Sequence, residues 1–306
     1  MDVLPAMNIN PDTETVEHCI LCAGAIAAVD ERFGMLLGLR PPYGVMRCTD
    51  CGLRWLSPRP TQEAYEQIYA YENYFDGPSA EENYATLARQ RRPYFIRRIE
   101  RIEAMLGRKE HLTILDIGAA TGEFVHEALK RGHRAAGIEL SEGARAQAKT
   151  RYGIELSGVR VEDLSATAQY DVVHMNHVLE HMANPATIIS LCARLLRSGG
   201  MLVIEVPQQI DNDLDRLRRM VLPWRRPAFN AYSVHHTYFF SPATLARLLE
   251  INGFITRTIA TAVPSRAPLW PIAAKNWLLR PYLAVGDWLH QGGNVIEVYA
   301  QLPATR

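Results

Sequence analysis

Residues 111–124 read HLTILDIGAATGEF, and the fold is decided there. Leu112, Ile114, Leu115 and Ile117 form a short, nearly continuous apolar run, the pattern of a strand buried on both faces. Gly118-Ala-Ala-Thr-Gly122 then turns the chain into a helical segment that begins at Phe124. A glycine-rich turn between strand and helix lets a ligand approach the backbone and meet the helix's first amides. From His111 onward apolar runs alternate with helical segments, which predicts a βαβ succession, a parallel sheet and the α/β class.

The turn spells Asp116-x-Gly118-x-Ala120-x-Gly122, whereas a pyrophosphate-binding turn spells GxGxxG. A carboxylate at the strand end repels a pyrophosphate but pairs with a cationic amino acid. S-adenosylmethionine (SAM) carries an ammonium and a sulfonium and no phosphate, so Asp116 favours SAM over NAD. The next strand, 133–139, ends in Glu139, where nucleotide-binding α/β folds place an acid on the ribose hydroxyls. Ser141 is the expected cap of a helix over 142–152.

The DxGxxxG string resembles motif I of the class I SAM-dependent methyltransferases, with Ala120 where many members have glycine. The resemblance implies a Rossmann-like fold with a seven-stranded, mostly parallel sheet whose last two strands, 254–262 and 294–302, are antiparallel. It implies that Leu140 lies near the adenine. It also implies that an acid in the segment 158–164, either Glu162 or Asp163 with Asp163 favoured, reads the adenine edge together with the amide of Leu164. VLEHMANP at 178–185 resembles a further segment of the family. Asn176 and His177 precede it, at the carboxyl end of strand 170–176, facing cofactor or acceptor. His181, one helical turn after His177, either orients a base or satisfies buried carbonyls. Residues 195–207 match the family's helix, GG turn and fifth strand, ending at Glu205 and Pro207.

Four of the five cysteines form two CxxC pairs, Cys19/Cys22 and Cys48/Cys51. Two such turns complete a tetrahedral S₄ shell, and four thiolates close it, so a structural zinc is expected in a zinc-ribbon-like module. Gly52 suits the tight knuckle. Cys192 falls in the apolar stretch 188–196 and reads as core. After the module, Pro58 and Pro60 stop the ribbon and Thr61 caps a helix bearing Tyr65, Tyr69 and Tyr71. This N-terminal pattern resembles a bacterial methyltransferase group that acts in polysaccharide, sugar or natural-product pathways. The expected organisation is a Cys₄ module over 1–60, linking helices over 61–110 and the SAM domain over 111–306. An arginine-rich helix over 81–107, interrupted or kinked near Pro93, offers either a solvated face or a contact for a phosphate-bearing acceptor.

The segment 233–254, SVHHTYFFSPATLARLLEINGF, resembles the acceptor side of the same group, with Ser241 capping a helix that ends at Gly253. Methyl transfer needs in-line alignment and a base for the acceptor proton, which histidine supplies near neutral pH. His236 is the preferred base, His235 the second. Related sugar C-methyltransferases carry His-Glu-His in this loop. Here His235 takes the glutamate's place and Ser233 a tyrosine's, so O-methylation is expected, with C- or N-methylation as the alternative. An acceptor-side insert spans about 208–240. A second insert, about 263–292, carries Trp270, Trp277 and Trp288 and reads as a hydrophobic lid, a homodimer surface or a peripheral membrane contact.

A chain of 306 residues, 48% hydrophobic, allows two domains and a sizeable core. Its 33 basic residues balance 33 acidic ones, so no overall field draws in nucleic acid. The competing reading is an RNA methyltransferase with a zinc module that grips RNA. Residues 1–60 oppose it, with Arg32, Arg40, Arg47, Arg54 and Arg59 outnumbered by Asp2, Asp12, Glu14, Glu17, Asp30, Glu31 and Asp50. A small-molecule or saccharide acceptor is therefore favoured. The N-terminus lacks a basic n-region and an apolar h-region, and the apolar run 20–29 is too short to span a bilayer, so a cytoplasmic protein is expected.

Overall fold

The computed structural model describes residues 12–24, 28–29, 43–61, 63–64, 78–165, 167–208, 236–262 and 295–304, the side chains of 78–91 excepted. The first strands are β1 (Thr13–Glu14), β2 (Ala28–Val29), β3 (Gly44–Arg47), β4 (Arg54–Ser57) and β5 (Arg59–Pro60). Helix α1 (Pro78–Leu106) leads to β6 (Thr113–Ile117), α2 (Glu123–Lys130), β7 (Arg134–Ile138) and α3 (Glu142–Tyr152). Then come β8 (Tyr170–Asn176), α4 (Pro185–Leu195), β9 (Leu196–Pro207) and β10 (Tyr238–Phe239). The last elements are α5 (Pro242–Ile251), β11 (Ile255–Ala262) and β12 (Val295–Gln301).

Six strands form the main sheet in the order β11-β12-β9-β8-β6-β7. β9, β8, β6 and β7 are parallel, and β12 runs antiparallel between β9 and β11. Residues 171–175 of β8 are all buried, as a strand with both faces covered requires. Phe95, Ile99 and Ile102 of α1 pack with Leu112, Ile114, Phe124, Val172 and Tyr299 in one cluster. The larger cluster holds residues of α4 and α5 together with Leu115, Ile117, Val173 and Met175. At about 1.5–3 kcal/mol for each fully buried aliphatic or aromatic side chain, these clusters supply the main favourable term.

Local chemistry sets the helix ends as expected. Ser141 accepts from Ala144 N at 3.2 Å, and Gly153 closes α3 in the left-handed region. Ser241 and Thr244 form a capping box at the start of α5. Thr61 accepts from Ala64 N at 3.2 Å, the cap predicted there. Cys192 is fully buried, and burial pushes its thiol up to about 12.

Several expectations need correction. The sheet shows six strands among the described residues, where seven were expected. At the outer edge of β7 the chain adds a single bridge, Ile138↔Ser157. Ser157 N donates to Gly137 O and Glu139 N to Ser157 O, and the chain then leaves at Gly158, a poor strand residue. α1 is one helix with Pro93 inside it. β9 begins at Leu196 and continues through Gly199-Gly200, which were expected to turn before Met201. The sheet beside the cysteine knuckles has the order β10-β4-β3-β2 and so takes one strand, Tyr238–Phe239, from beyond the main sheet's β9. Tyr65, Tyr69, Tyr71, the second insert and most of the first lie outside the described residues.

Candidate active site

The turn after β6 is built from backbone. Gly118, Ala120 and Gly122 have φ of 70°, 47° and 83°, so three residues of one short loop lie in the left-handed region. At Gly118 an added Cβ would sit 2.4 Å from Val178 Cγ2, which only glycine avoids. Ala120 tolerates this conformation at a cost of roughly 1–2 kcal/mol. Opposite, Glu139 accepts from Ala120 N through Oε2 and from Ser141 N through Oε1, both at 2.9 Å. Burial raises the Glu139 carboxyl above its ordinary range despite those amides, and the nearby Asp116 adds to the rise. Leu140 beside it is exposed. Asp163 is exposed on the short 3₁₀ turn Val161–Asp163, Leu164 is half-buried after it, and Arg160 lies 3.8 Å from Glu162.

Asp116 is buried and has a protein partner that the sequence did not reveal. Its Oδ1 accepts from His174 Nδ1 at 2.6 Å, and His174 Nε2 receives Arg98 Nη1 at 2.9 Å. Because an arginine N–H can only donate, His174 is neutral with its proton on Nδ1. Burial lowers its pKa accordingly. The ring stacks on Phe124 at 3.7 Å.

Arg98 fits neither reading of the α1 arginines, solvated face or phosphate contact, whereas Arg92 and Arg97 are exposed. The Arg98 side chain is fully buried and ion-pairs with Glu205 Oε2 at 2.5 Å and Glu297 Oε1 at 3.0 Å. It also donates to Asn176 Oδ1 at 3.0 Å and to the Tyr94 hydroxyl. Asn176 is thereby held by a buried cation at the end of β8. Phe95, Arg98 and Ile102 follow helical spacing, and that periodicity was the available signal for an inward arginine.

The cluster beyond β8 is built from side chains. His177 has a φ of 56°, an unusual backbone for histidine, and its Nε2 lies 3.0 Å from Glu205 Oε1. Its Nδ1 lies 3.4 Å from Glu180 Oε1, and His181 Nε2 lies 3.8 Å from the same atom. The His181 and His236 rings meet edge to face at 4.8 Å, and His236 is buried. Neither Glu180 oxygen has a partner in hydrogen-bond geometry. Burial pushes Glu180 up, but the His177 contact and the charges of His181, His177 and His236 outweigh it and bring the carboxyl to about 2. Val178 rests against Gly118, so this cluster adjoins the glycine turn. His181 and His236 therefore come together around a glutamate that had been given no role. His235 lies outside the described residues.

The four cysteine sulfurs converge, Cys19 to Cys51 and Cys22 to Cys48 each at 3.4 Å, and all four lie within 4.8 Å of one another. A tetrahedral S₄ shell with metal–sulfur bonds of about 2.3 Å has sulfurs about 3.8 Å apart, so the spacing fits a divalent ion. Both knuckles close by backbone bonds, Ala23 N to Cys19 O and Gly52 N to Cys48 O, with Ala23 and Gly52 in the left-handed region.

Comparison with known proteins supports the same architecture. A family model described as a methyltransferase domain matches residues 87–258. A ubiquinone biosynthesis O-methyltransferase of Nitrosomonas europaea is 33% identical over 110 residues, 34% of this chain and 47% of that protein. Its Leptothrix cholodnii counterpart is 31% identical over 112 residues, again 34% and 47%. The chain thus spans about half the length of these curated relatives. The structure of Burkholderia thailandensis 1,6-didemethyltoxoflavin-N1-methyltransferase, with bound 1,6-didemethyltoxoflavin and S-adenosylhomocysteine, is 18% identical. It superposes with a TM-score of 0.52 over 87% of this chain and 97% of that one, a likeness of fold.

Proposed function

The chain belongs to the methyltransferase domain family, and we propose that it transfers the methyl group of SAM to a hydroxyl of a small-molecule or saccharide acceptor. The observation that carries the acceptor chemistry is the buried Glu180 carboxylate among His177, His181 and His236, next to the glycine turn. When bound, SAM supplies an electrophilic methyl on a sulfonium.

The residues around the turn suit that cation. Asp116, Glu180, Glu205 and Glu297 are buried carboxylates near the carboxyl ends of the central strands, and Arg98 offsets two of them. Glu139 keeps lone pairs beyond its two backbone amides and can accept ribose hydroxyls there. Gly118 and Gly122 allow the left-handed turn that can present the loop's amides to a ligand. Leu140, Asp163 and Leu164 are assigned to the adenine, Asn176 and His177 to the region between cofactor and acceptor.

His236 takes the acceptor's proton, with His181 against its ring and Glu180 stabilising the imidazolium that forms. His235 is the second choice of base. The Cys₄ cluster holds a structural zinc, since four thiolates leave no open position for chemistry. Free cysteines in ligand geometry fit a reducing compartment such as the cytoplasm. No helix among the described residues is long and apolar enough to cross a membrane.

The test is transfer from labelled SAM into pools of small molecules and nucleotide sugars, with mass spectrometry of the product. Label is expected on an oxygen. Label in RNA, or in no fraction, overturns the reading. His236→Ala should lower turnover by about a hundredfold or more while SAM affinity holds; unchanged turnover removes His236 as the base.

A further inference from the structure

His236 enters the site after an insert, and its support comes from two directions. Thr237, fully buried, follows it. Thr237 N donates to Glu180 O at 2.8 Å, and Thr237 O accepts from Leu56 N at 2.9 Å. β10 then pairs antiparallel with β4, Tyr238 opposite Trp55 and Phe239 opposite Arg54. β10 is therefore a strand of the module's sheet and not of the main sheet. β4 begins two residues after the second knuckle, where Cys48 N donates to Leu53 O at 2.8 Å. Arg59 Nη1 adds a bond of 2.9 Å to the Tyr238 hydroxyl.

We propose that the Cys₄ module positions the base. Metal at Cys19, Cys22, Cys48 and Cys51 fixes the start of β4, β4 fixes β10, and Thr237 holds His236 against Glu180 and His181. Thr237 is the positioning residue, acting through its two backbone bonds. This rests on the reading of His236 as base and of the cysteines as zinc ligands. The SAM side hangs on β6 and β7, which among the described residues share an apolar cluster with the module's sheet but no strand pairing. Losing the metal should therefore spare SAM affinity and impair the chemical step, since small misplacements of a reacting group cost up to about a hundredfold in rate.

The experiment strips zinc from the full-length protein with a chelator and then restores it. SAM affinity is read by calorimetry, the His236 imidazole by ¹H–¹⁵N NMR (assigned through its loss in His236→Gln), and kcat by methyl transfer. The proposal expects SAM affinity within about twofold, a displaced His236 signal and kcat lowered by about tenfold or more, all reversed by zinc. Leu56→Pro, which deletes the donor to Thr237 O and leaves the cysteines intact, should displace the signal and lower kcat at full zinc content. A His236 signal unmoved by zinc removal overturns the proposal. So does SAM affinity that falls in step with kcat, and so does a protein that binds no zinc. If His236→Gln leaves kcat unchanged while zinc removal still moves the signal, the base reading fails and the coupling stands.

Discussion

Two acids, Glu139 after β7 and Glu180 after β8, on the strands that flank β6, show how differently the halves of the site are made. Glu139 is held by two backbone amides, and burial raises its carboxyl. Glu180 is more deeply buried, has no amide partner, and is brought to about 2 by three histidines. The first belongs to a half built on backbone amides, which the proposed function assigns to a ligand's hydroxyls. The second belongs to a half in which charged side chains from separate stretches of chain must be brought into register. A backbone-made half should tolerate losses elsewhere, while a half assembled from side chains should not.

The change that most directly breaks the contrast is Arg98→Met, because Arg98 lies beneath both halves. It reaches Asp116 through His174 and reaches His177 through Glu205. Removing it leaves Glu205 and Glu297 buried without their cation, at a cost of about 3–5 kcal/mol of stability in urea titration. A loss under about 1 kcal/mol would mean that those carboxylates are solvated or protonated in the folded state.

Acid sharpens the contrast. Glu180 has a lowered folded pKa of about 2. Its stabilisation is thus fully present above the unfolded range near 4.5 and is lost as pH falls from there toward 2, about 3 kcal/mol in all. His174 is lowered as well, so its contribution begins to be lost earlier, as pH falls below about 6.5. Glu139 is raised, and its sign is opposite: protonation relieves its burial. Urea midpoints measured downward from neutral pH should fall, steeply once pH drops below about 4.5. Stability that stays flat through that range contradicts a Glu180 carboxyl held low by its surroundings.

The smallest effect tests the backbone half. Ala120→Gly removes a left-handed alanine, and stability should rise by at most about 1 kcal/mol, with SAM affinity unchanged or improved. Weakened binding would show that the Ala120 methyl contributes a contact.

The same division explains what could be read from the chain. DIGAATG with Glu139 lies within one βαβ unit, so local spacing places those residues at once. The caps at Thr61, Ser141 and Ser241 are local as well, and so are the knuckles that bring the four cysteines together. The acceptor side joins residues 54–57, 177–181 and 236–239, whose proximity depends on how a strand from one segment pairs with another. No spacing rule connects Trp55 to Tyr238. Arg98 stood in a run of arginines on which charge alone says nothing about direction, and burial of one of them follows from its packing against β8, β9 and β12. His174 read as one more residue of an apolar strand until Asp116 and Arg98 closed on either side.

Calorimetric titration of SAM into the wild type and into Glu139→Ala tests the central claim most directly. The account predicts binding by the wild type and affinity weakened by about ten- to a hundredfold in the variant, the worth of one or two hydrogen bonds to a charged group. Equal affinity in the two proteins, or no heat of binding to the wild type, would contradict it.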